Sequence, residues 1–392
     1  MLTVPAAVRA AIEGLERLPA YVTDGPGLRT HAAAVRAAIR SSRPVELYYA
    51  VKANPAPAVL AALRPVVDGF EASSGGELRH LRALYPDVPV AFSGPGKTPE
   101  ELRLAVSARV HRLHVESVQE LRVLAALDAD ADLLLRVNPP IEVPGAVLAM
   151  GGRPSPFGLD PADLPACLAL LRDRPRLRLR GLHVHLASGL EPGPLLAGYR
   201  RIVAWARGCG VPFGELNLGG GMTVDYTAPD RRFDWAAFGA GLAGLADGVT
   251  DGVTDGVTLR LEPGRSISAY CGWYVTEVLD VRRSHGRAFA IVRGGTHHLR
   301  TPAAKGHSQP FAVLPSPAWP HPWPRPEVGG EPVTVVGQLC TPKDVLAGDV
   351  ALPRLRAGDR LVFGLAGAYA WNISHHDFLM HDPPQFFDLP AT

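Results

Sequence analysis

The chain is sparing in ways that exclude whole classes of protein. It has four cysteines in 392 residues (Cys167, Cys209, Cys271 and Cys340), far apart and with no CxxC pair. That argues against a disulfide framework and against a cysteine-bound structural zinc. No block of basic residues is present and the formal net charge is only +2. Nucleic acid is therefore not an expected partner. No stretch of roughly 18 uncharged apolar residues occurs, so no membrane-spanning helix is expected. Charges also interrupt the apolar positions of "MLTVPAAVRAAIEGLERLPAYV", which fits neither a signal peptide nor a span. Together these absences predict a soluble, cytoplasmic protein of a reducing compartment.

From residue 45 to 262 short apolar runs alternate with helical patterns. The runs are "VELYYAV" (45–51), "GFEA" (69–72), "PVAFS" (89–93), "RLHVE" (112–116), "DLLLRVN" (132–138), "LRLRGLHVHL" (177–186), "ELNLGG" (215–220) and "TLRLEPG" (258–264). Helix-like stretches lie between them, at 74–84, 98–107, 117–127, 161–172 and 195–207, and Pro57, Pro99 and Pro161 suit first-turn helix positions. Eight strands alternating with helices predict an α/β fold, a parallel (β/α)₈ TIM-type barrel. The tandem "DGVTDGVTDGVT" (247–258) is too short for a repeat architecture and reads as a surface loop. After residue 265 the rhythm changes to "WYVTEVLDVRR", "AFAIVRGG", "PVTVVGQL" and "DRLVFGLAG", with no helical runs between. This predicts a C-terminal β domain. The expected division is an N-terminal segment, 1–25, packing with that domain; a barrel, 26–265; and the β domain, 266–392.

Chemistry in such a barrel belongs at the C-terminal ends of its strands. Lys52, Glu71, Arg136, His183 and His185 end strands there, with Ser188 just beyond, and Gly219-Gly220-Gly221, Glu262 and Arg265 follow the last two. Each has a plain structural reading. Lys52 could lay its stem along apolar surface, the glycines could make a turn, and Glu262 could pair with Arg265. Taken together they suit one chemistry. A lysine in a desolvated pocket can form a Schiff base. A glycine loop after a late strand can cradle a phosphate with its N–H groups. A carboxylate can hold a protonated ring nitrogen. Those are the needs of pyridoxal 5'-phosphate. His183 and His185 could instead form a metal pair, since alternate strand residues share a side. No HExxH accompanies them, and no metal site is expected.

In its anchors "YAVKAN", "FEASSGGEL", "HVHLASG", "LNLGGG", "EPGRSI", "GQLCTPKD" and "GAY", found in that order, the chain resembles the pyridoxal-phosphate decarboxylases built on the alanine-racemase-type barrel. These include the diaminopimelate, ornithine and arginine decarboxylases. The resemblance implies that Lys52 binds the cofactor aldehyde and His185 stacks on its ring. Ser188, Gly219, Gly220, Gly221, Arg265 and Tyr369 would surround the phosphate, and Glu262 would bond the pyridine nitrogen. Glu71 and Glu77 would flank the site, with Arg136 ordering the charges beside it. Cys340 would be the proton donor, reaching over from the second subunit of a homodimer. A carboxylate at the ring nitrogen favours decarboxylation over racemisation.

The pattern departs from diaminopimelate and ornithine decarboxylases after the cysteine, where Thr341 replaces an acidic residue. "RGGTHHLRTPAAKGHSQPF" (293–311) and "GAYAWNISHHDFLMHDPPQFF" (367–387) resemble the siderophore-pathway branch, which acts on a citryl-diaminopropionate intermediate. His297, His298, Arg300 and Lys305 would then meet a polyanionic citryl tail through charge-assisted hydrogen bonds. Thr341 would line the same substrate site. Diaminopimelate, ornithine or lysine decarboxylation, carrier-bound aminoacyl decarboxylation, racemisation and a non-catalytic regulatory role stand as the other readings.

Overall fold

The computed structural model describes residues 2–40, 45–145, 147–247 and 256–390, without the side chains of Ala149, Ala246, Asp247 and Lys305. Most of the 247–258 repeat thus lies outside the described residues. The chain divides into two compact units. One comprises Thr30–Thr223 and Phe233–Ile267; the other comprises Met1–Arg29, Val224–Arg232 and Ser268–Thr392. Among the described residues no helix is long and apolar enough to cross a membrane.

The first unit is a closed, all-parallel, eight-stranded barrel. Its strands are β1 (Val45–Ala50), β2 (Gly69–Ala72), β3 (Val90–Phe92), β4 (Arg112–Val115), β5 (Ala131–Arg136), β6 (Leu177–His183), β7 (Glu215–Asn217) and β8 (Thr258–Leu261). Most of their residues are buried. That is why most of them read as predominantly apolar runs, although Glu46, Glu71, His114 and the arginines of β6 and β8 interrupt them. One expectation is corrected. The run at 177–186 ends its strand at His183, so His185 lies in the following loop and the strand alternation does not govern it.

The helices after β2, β3 and β4 open in one manner. Ser74, Thr98 and Ser117 each accept the backbone N–H of the glutamate three residues on. Those glutamates turn back in kind: Glu77 accepts from Ser73 N at 2.7 Å, Glu101 from Thr98 N at 3.0 Å and Glu120 from Glu116 N at 3.1 Å. Each cap satisfies donors a helix start would otherwise orphan. Each also fixes the chain where it leaves the C-terminal end of a strand.

The second unit is built on one long strand, Gly272–Ser284, with a bulge between Val278 and Asp280. Its first half pairs with Ala20–Thr23 and Arg360–Phe363, its second with Arg287–Val292. Successive residues face opposite ways. Trp273 and Val275 pack with Val8 and Ile12 of the N-terminal helix, while Tyr274 joins Leu299, Val333 and Phe363 on the other face. The N-terminal strand Ala20–Thr23 also pairs in parallel with Gln385–Asp388. A short helix, Thr301–Lys305, interrupts what reads in sequence as continuous β structure.

Candidate active site at the carboxyl ends of the barrel strands

Lys52 sits one turn past β1, in a 3-10 turn spanning Val51–Ala53. Its Nζ donates to Glu71 Oε2 at 2.8 Å and to Ser73 Oγ at 3.2 Å. The lysine side chain is 47% exposed and that of Glu71 only 1%. The expected desolvated lysine is therefore replaced by an ion pair at the barrel mouth, because the buried carboxylate needs a counter-charge. Ser73 Oγ donates to Glu71 Oε1 at 2.7 Å, and Ser93 Oγ donates to the same oxygen. Burial alone would raise the Glu71 pKa; the Lys52 charge and the hydrogen bonds from Lys52, Ser93 and Ser73 outweigh it and hold the carboxyl at about 2.

Arg136 closes β5 and is buried against Glu116, Nη1 to Oε1 at 2.8 Å. Glu116 also accepts from Gly94 N at 2.8 Å and Gly158 N at 3.2 Å. Lys97 and Glu120, both buried, pair at 2.9 Å. Ser73, Ser93, Lys97, Glu116 and Glu120 are absent from the sequence-based site. Only the S/T-x-x-E spacing of the caps hinted at any of them.

His185 lies against the glycine loop. A Cβ built on Gly219, whose φ is +68°, would fall 2.4 Å from His185 Nδ1, and one on Gly221 (φ +114°) would fall 2.7 Å from Ala187 O. Only glycine allows this approach without strain. The loop is laced by Gly189 N and Leu190 N donating to Gly221 O at 2.9 and 3.0 Å, which brings Ser188 beside the triplet. Tyr199 Oη donates to Gly220 O at 2.9 Å. Burial first, then Arg136 and Lys52, push the His185 pKa down to about 3, so its imidazole is neutral. Arg265 begins the short helix Arg265–Ser268. Just before it, Gly264 lies against Ala53, where a Cβ would approach Ala53 Cβ to 2.8 Å. The Glu262–Arg265 loop thus abuts the turn that carries Lys52.

Glu262 is buried directly after β8. Asn217 Nδ2 donates to its Oε1 at 2.6 Å, and Asn217 Oδ1 accepts from Gly219 N at 2.9 Å. The carboxylate and the glycine loop therefore share one positioning side chain. His114 and His183 are buried beside Glu262, and the donor atoms of the three groups lie within 4.8 Å of one another. Burial first, then the negative charge of Glu71, raise the Glu262 pKa to about 7.

The β unit carries the remaining candidates. Cys340 is exposed. Its loop is pinned by the buried Asp344, whose carboxylate accepts from Leu339 N at 2.8 Å and from Thr296 N at 2.6 Å. This carboxylate ties the 293–298 loop to the cysteine loop. Thr341 Oγ1 accepts from Lys343 N at 3.3 Å. Tyr369 adopts a left-handed backbone, with φ +51°. His297 and His298 are 0% and 2% exposed. His298 is hydrogen-bonded through Nδ1 to Tyr274 Oη at 3.1 Å and through Nε2 to Asp382 O at 3.1 Å. The expected ligand role of His298 is corrected accordingly: both ring nitrogens are committed to holding the β unit. Arg300 is exposed, with Nη1 3.0 Å from His375 Nδ1.

A closed parallel barrel that gathers an amine, two buried carboxyls, a neutral imidazole and a glycine loop at its strand ends is the architecture of a barrel enzyme. Comparison gives the family. The family model described as "Pyridoxal-dependent decarboxylase, pyridoxal binding domain" matches residues 28–269. The chain is 39% identical to 2-[(L-alanin-3-ylcarbamoyl)methyl]-2-hydroxybutanedioate decarboxylase of Staphylococcus aureus, over 95% of this chain and 94% of that protein. It is 30% identical to L-glutamyl-[BtrI acyl-carrier protein] decarboxylase of Niallia circulans, over 93% of this chain and 87% of that protein. Among solved structures, a mutant diaminopimelate decarboxylase from Helicobacter pylori, complexed with L-lysine, superposes with a TM-score of 0.85 at 23% identity, covering 98% of this chain and 94% of that one. The chain belongs to the pyridoxal-dependent decarboxylases and is a carboxy-lyase.

Proposed function

We propose that the protein removes the α-carboxylate of an amino-acid conjugate with a carboxylate-rich tail, of the citryl-diaminopropionate kind, in siderophore assembly. The grouping at one barrel mouth of the Lys52–Glu71 pair, the Gly219–Gly221 loop and the buried Glu262 carries the decarboxylation, and a relative's substrate supports the tail. The staphylococcal relative, 39% identical, is named for such a substrate, a hydroxybutanedioate arm joined by an amide to carbon 3 of alanine. Thr341 agrees, because an acidic residue there would repel a carboxylate tail.

The residues fit pyridoxal phosphate. Lys52 offers a half-exposed amine, the 219–221 cradle excludes side chains, and Glu262 is a buried carboxyl already anchored by Asn217. When bound, the cofactor supplies the electron sink for the pair released as CO₂ departs. Lys52 would hold it covalently. Ser188, the three glycines, Arg265 and Tyr369 would hold its phosphate. Glu262 would accept a hydrogen bond from the ring nitrogen, and neutral His185 would lie on the ring face. Glu71 would keep the amine of Lys52 oriented. Cys340 of the partner subunit would deliver the proton that replaces the carboxylate, in a two-fold homodimer with two equal sites. Arg300 would meet the tail carboxylates.

A panel assay of CO₂ release tests this with the purified chain and added pyridoxal phosphate. The panel holds citryl-diaminopropionate, diaminopimelate, lysine, ornithine and a glutamyl carrier protein. Fastest release from the citryl conjugate is expected. A preference for a free diamino acid overturns the tail assignment, and preference for the carrier protein favours the second reading, which the Niallia relative supports at 30% identity.

A further inference from the structure

The interior of a (β/α)₈ barrel is ordinarily filled by branched aliphatic side chains. Here two histidines occupy it near its carboxyl end. His114 is the third residue of β4 and His183 the last of β6. Both are buried, and their rings lie 4.4 Å apart, tilted by 50°. Neither Nδ1 nor Nε2 of either ring has a hydrogen-bond partner among the described residues. Buried polar groups are normally satisfied, and each exception calls for an explanation.

The explanation lies in where the rings point. His183 Nε2 is 3.8 Å from Glu262 Oε2, and His114 Nε2 is 4.0 Å from Glu262 Oε1. These gaps exceed a direct hydrogen bond, but a single bridging water or a small ring rotation closes them. Burial first, and then neighbouring positive charge or His114, keep both histidines far below their ordinary pKa. Each is therefore neutral and carries one N–H. We propose that His114 and His183 are positioning residues whose N–H groups, directly or through one water, keep the Glu262 carboxylate ionised and aimed. This rests on the reading that Glu262 meets the cofactor ring nitrogen.

The need for such donors follows from the other groups facing Glu262. Its surroundings include Glu71, which opposes its charge, and Lys52 and Arg260, which favour it, while Asn217 donates to one oxygen only. Burial and Glu71 prevail, raising the pKa to about 7. Without further donors the carboxyl would carry its own proton over much of the neutral range. A protonated carboxyl would have no charge with which to hold a ring N–H⁺.

The test is an infrared pH titration of the full-length chain carrying ¹³C-labelled glutamate, with and without added pyridoxal phosphate. The Glu262 band is assigned as the one lost in Glu262→Gln. His114→Phe with His183→Phe is expected to raise the Glu262 midpoint by about one pH unit. His114→Asn with His183→Gln, which retain N–H donors, should restore part of that shift. Should the double phenylalanine chain fail to fold, each single phenylalanine variant is expected to show a smaller shift in the same direction. An unchanged midpoint in folded phenylalanine variants overturns the proposal. So does a stoichiometric divalent metal in the purified protein that leaves with either histidine. A midpoint that responds to the histidines but not to pyridoxal phosphate keeps the positioning role and discards the cofactor reading. The reverse pattern discards the positioning role alone.

Discussion

The two ends of the barrel treat charge in opposite ways. Toward the N-terminal ends of the strands, Glu46 of β1, Arg112 of β4, Glu215 of β7 and Arg260 of β8 complement one another. Arg260, whose side chain is 1% exposed, bonds Glu46 at 2.5 Å and Glu215 at 3.1 Å. Its guanidinium lies 4.7 Å from the Tyr48 ring centre. Arg112 Nε donates to Glu215 Oε2 at 2.7 Å. Because β4 and β7 are not neighbours in the sheet, that pair crosses the barrel interior. At the carboxyl end the polar groups are left less complete. Among the described residues the four imidazole nitrogens of His114 and His183 lack hydrogen-bond partners, and two carboxyls are driven in opposite directions, Glu71 to about 2 and Glu262 to about 7. The N-terminal network is matched except at Arg260 Nη1, which has no hydrogen-bond partner among the described residues; clustered unmatched groups with displaced proton affinities are what a functional site shows.

The comparison breaks most sharply at Lys52. Lys52→Ala is expected to abolish CO₂ release, and borohydride treatment of the unaltered protein followed by mass spectrometry should find the pyridoxyl adduct on Lys52. An adduct of equal yield on another lysine would mean that the completing ligand does not meet this amine. The opposite end predicts a loss of stability instead. Arg260→Met takes the guanidinium from the partly buried Glu46 and leaves Glu215 with Arg112 alone, and breaking a buried ionic pair costs up to about 3–5 kcal/mol. Chemical denaturation should show that loss, while the folded variant retains cofactor absorbance. If stability is unchanged, the network is not what closes the barrel. Glu262→Gln should lower turnover about a hundredfold, on the order of 3 kcal/mol, with stability little altered. Unchanged turnover would remove Glu262 from the chemistry.

This asymmetry was only half legible in the sequence. The eight barrel strands stood out because burial on both faces leaves predominantly apolar runs. Lys52 and Glu262 stood out because each follows such a run, and Glu71 because it lies near the end of one, where barrel chemistry is found. His114 did not, since a lone histidine inside "RLHVE" reads as core filling. It gains meaning only when barrel closure sets β4, β6 and β8 around one interior. Asn217 was hidden in the same way, by a role that depends on its cross-strand neighbours. His298 failed in the other direction. The histidine-rich loop reads as one that meets a substrate, but packing against Trp371 and Tyr274 accompanies the burial of His298. In the β unit, Phe311–Leu314, Val345–Ala351 and Gln385–Asp388 went unread. Phe311–Leu314 and Gln385–Asp388 are four-residue edge strands stabilised by partners distant in sequence, whereas Val345–Ala351 is an edge strand paired with the nearby Pro332–Val336.

The smallest effect sharpens the comparison at the rim of the matched end. Asp132, second in β5, bonds Arg180 Nε at 2.7 Å and Arg178 Nε at 2.9 Å, in partial solvent. Burial alone would raise its pKa, but the hydrogen bonds from Arg178 and Arg180, then their charges, bring it below the ordinary carboxylate value. A carboxyl depressed on folding contributes stability that is present above its unfolded pKa and is lost as pH falls toward its folded one. Asp132→Asn should therefore cost less than about 1 kcal/mol at neutral pH, since solvent screens the pair. The deficit should shrink in high salt and fade as the wild type is acidified below about pH 4. Thermal melts of both chains across pH and salt measure it. A deficit as large as that of Arg260→Met, or one that persists in strong acid, would show that rim and core charges at this end act as one buried network rather than as a graded series.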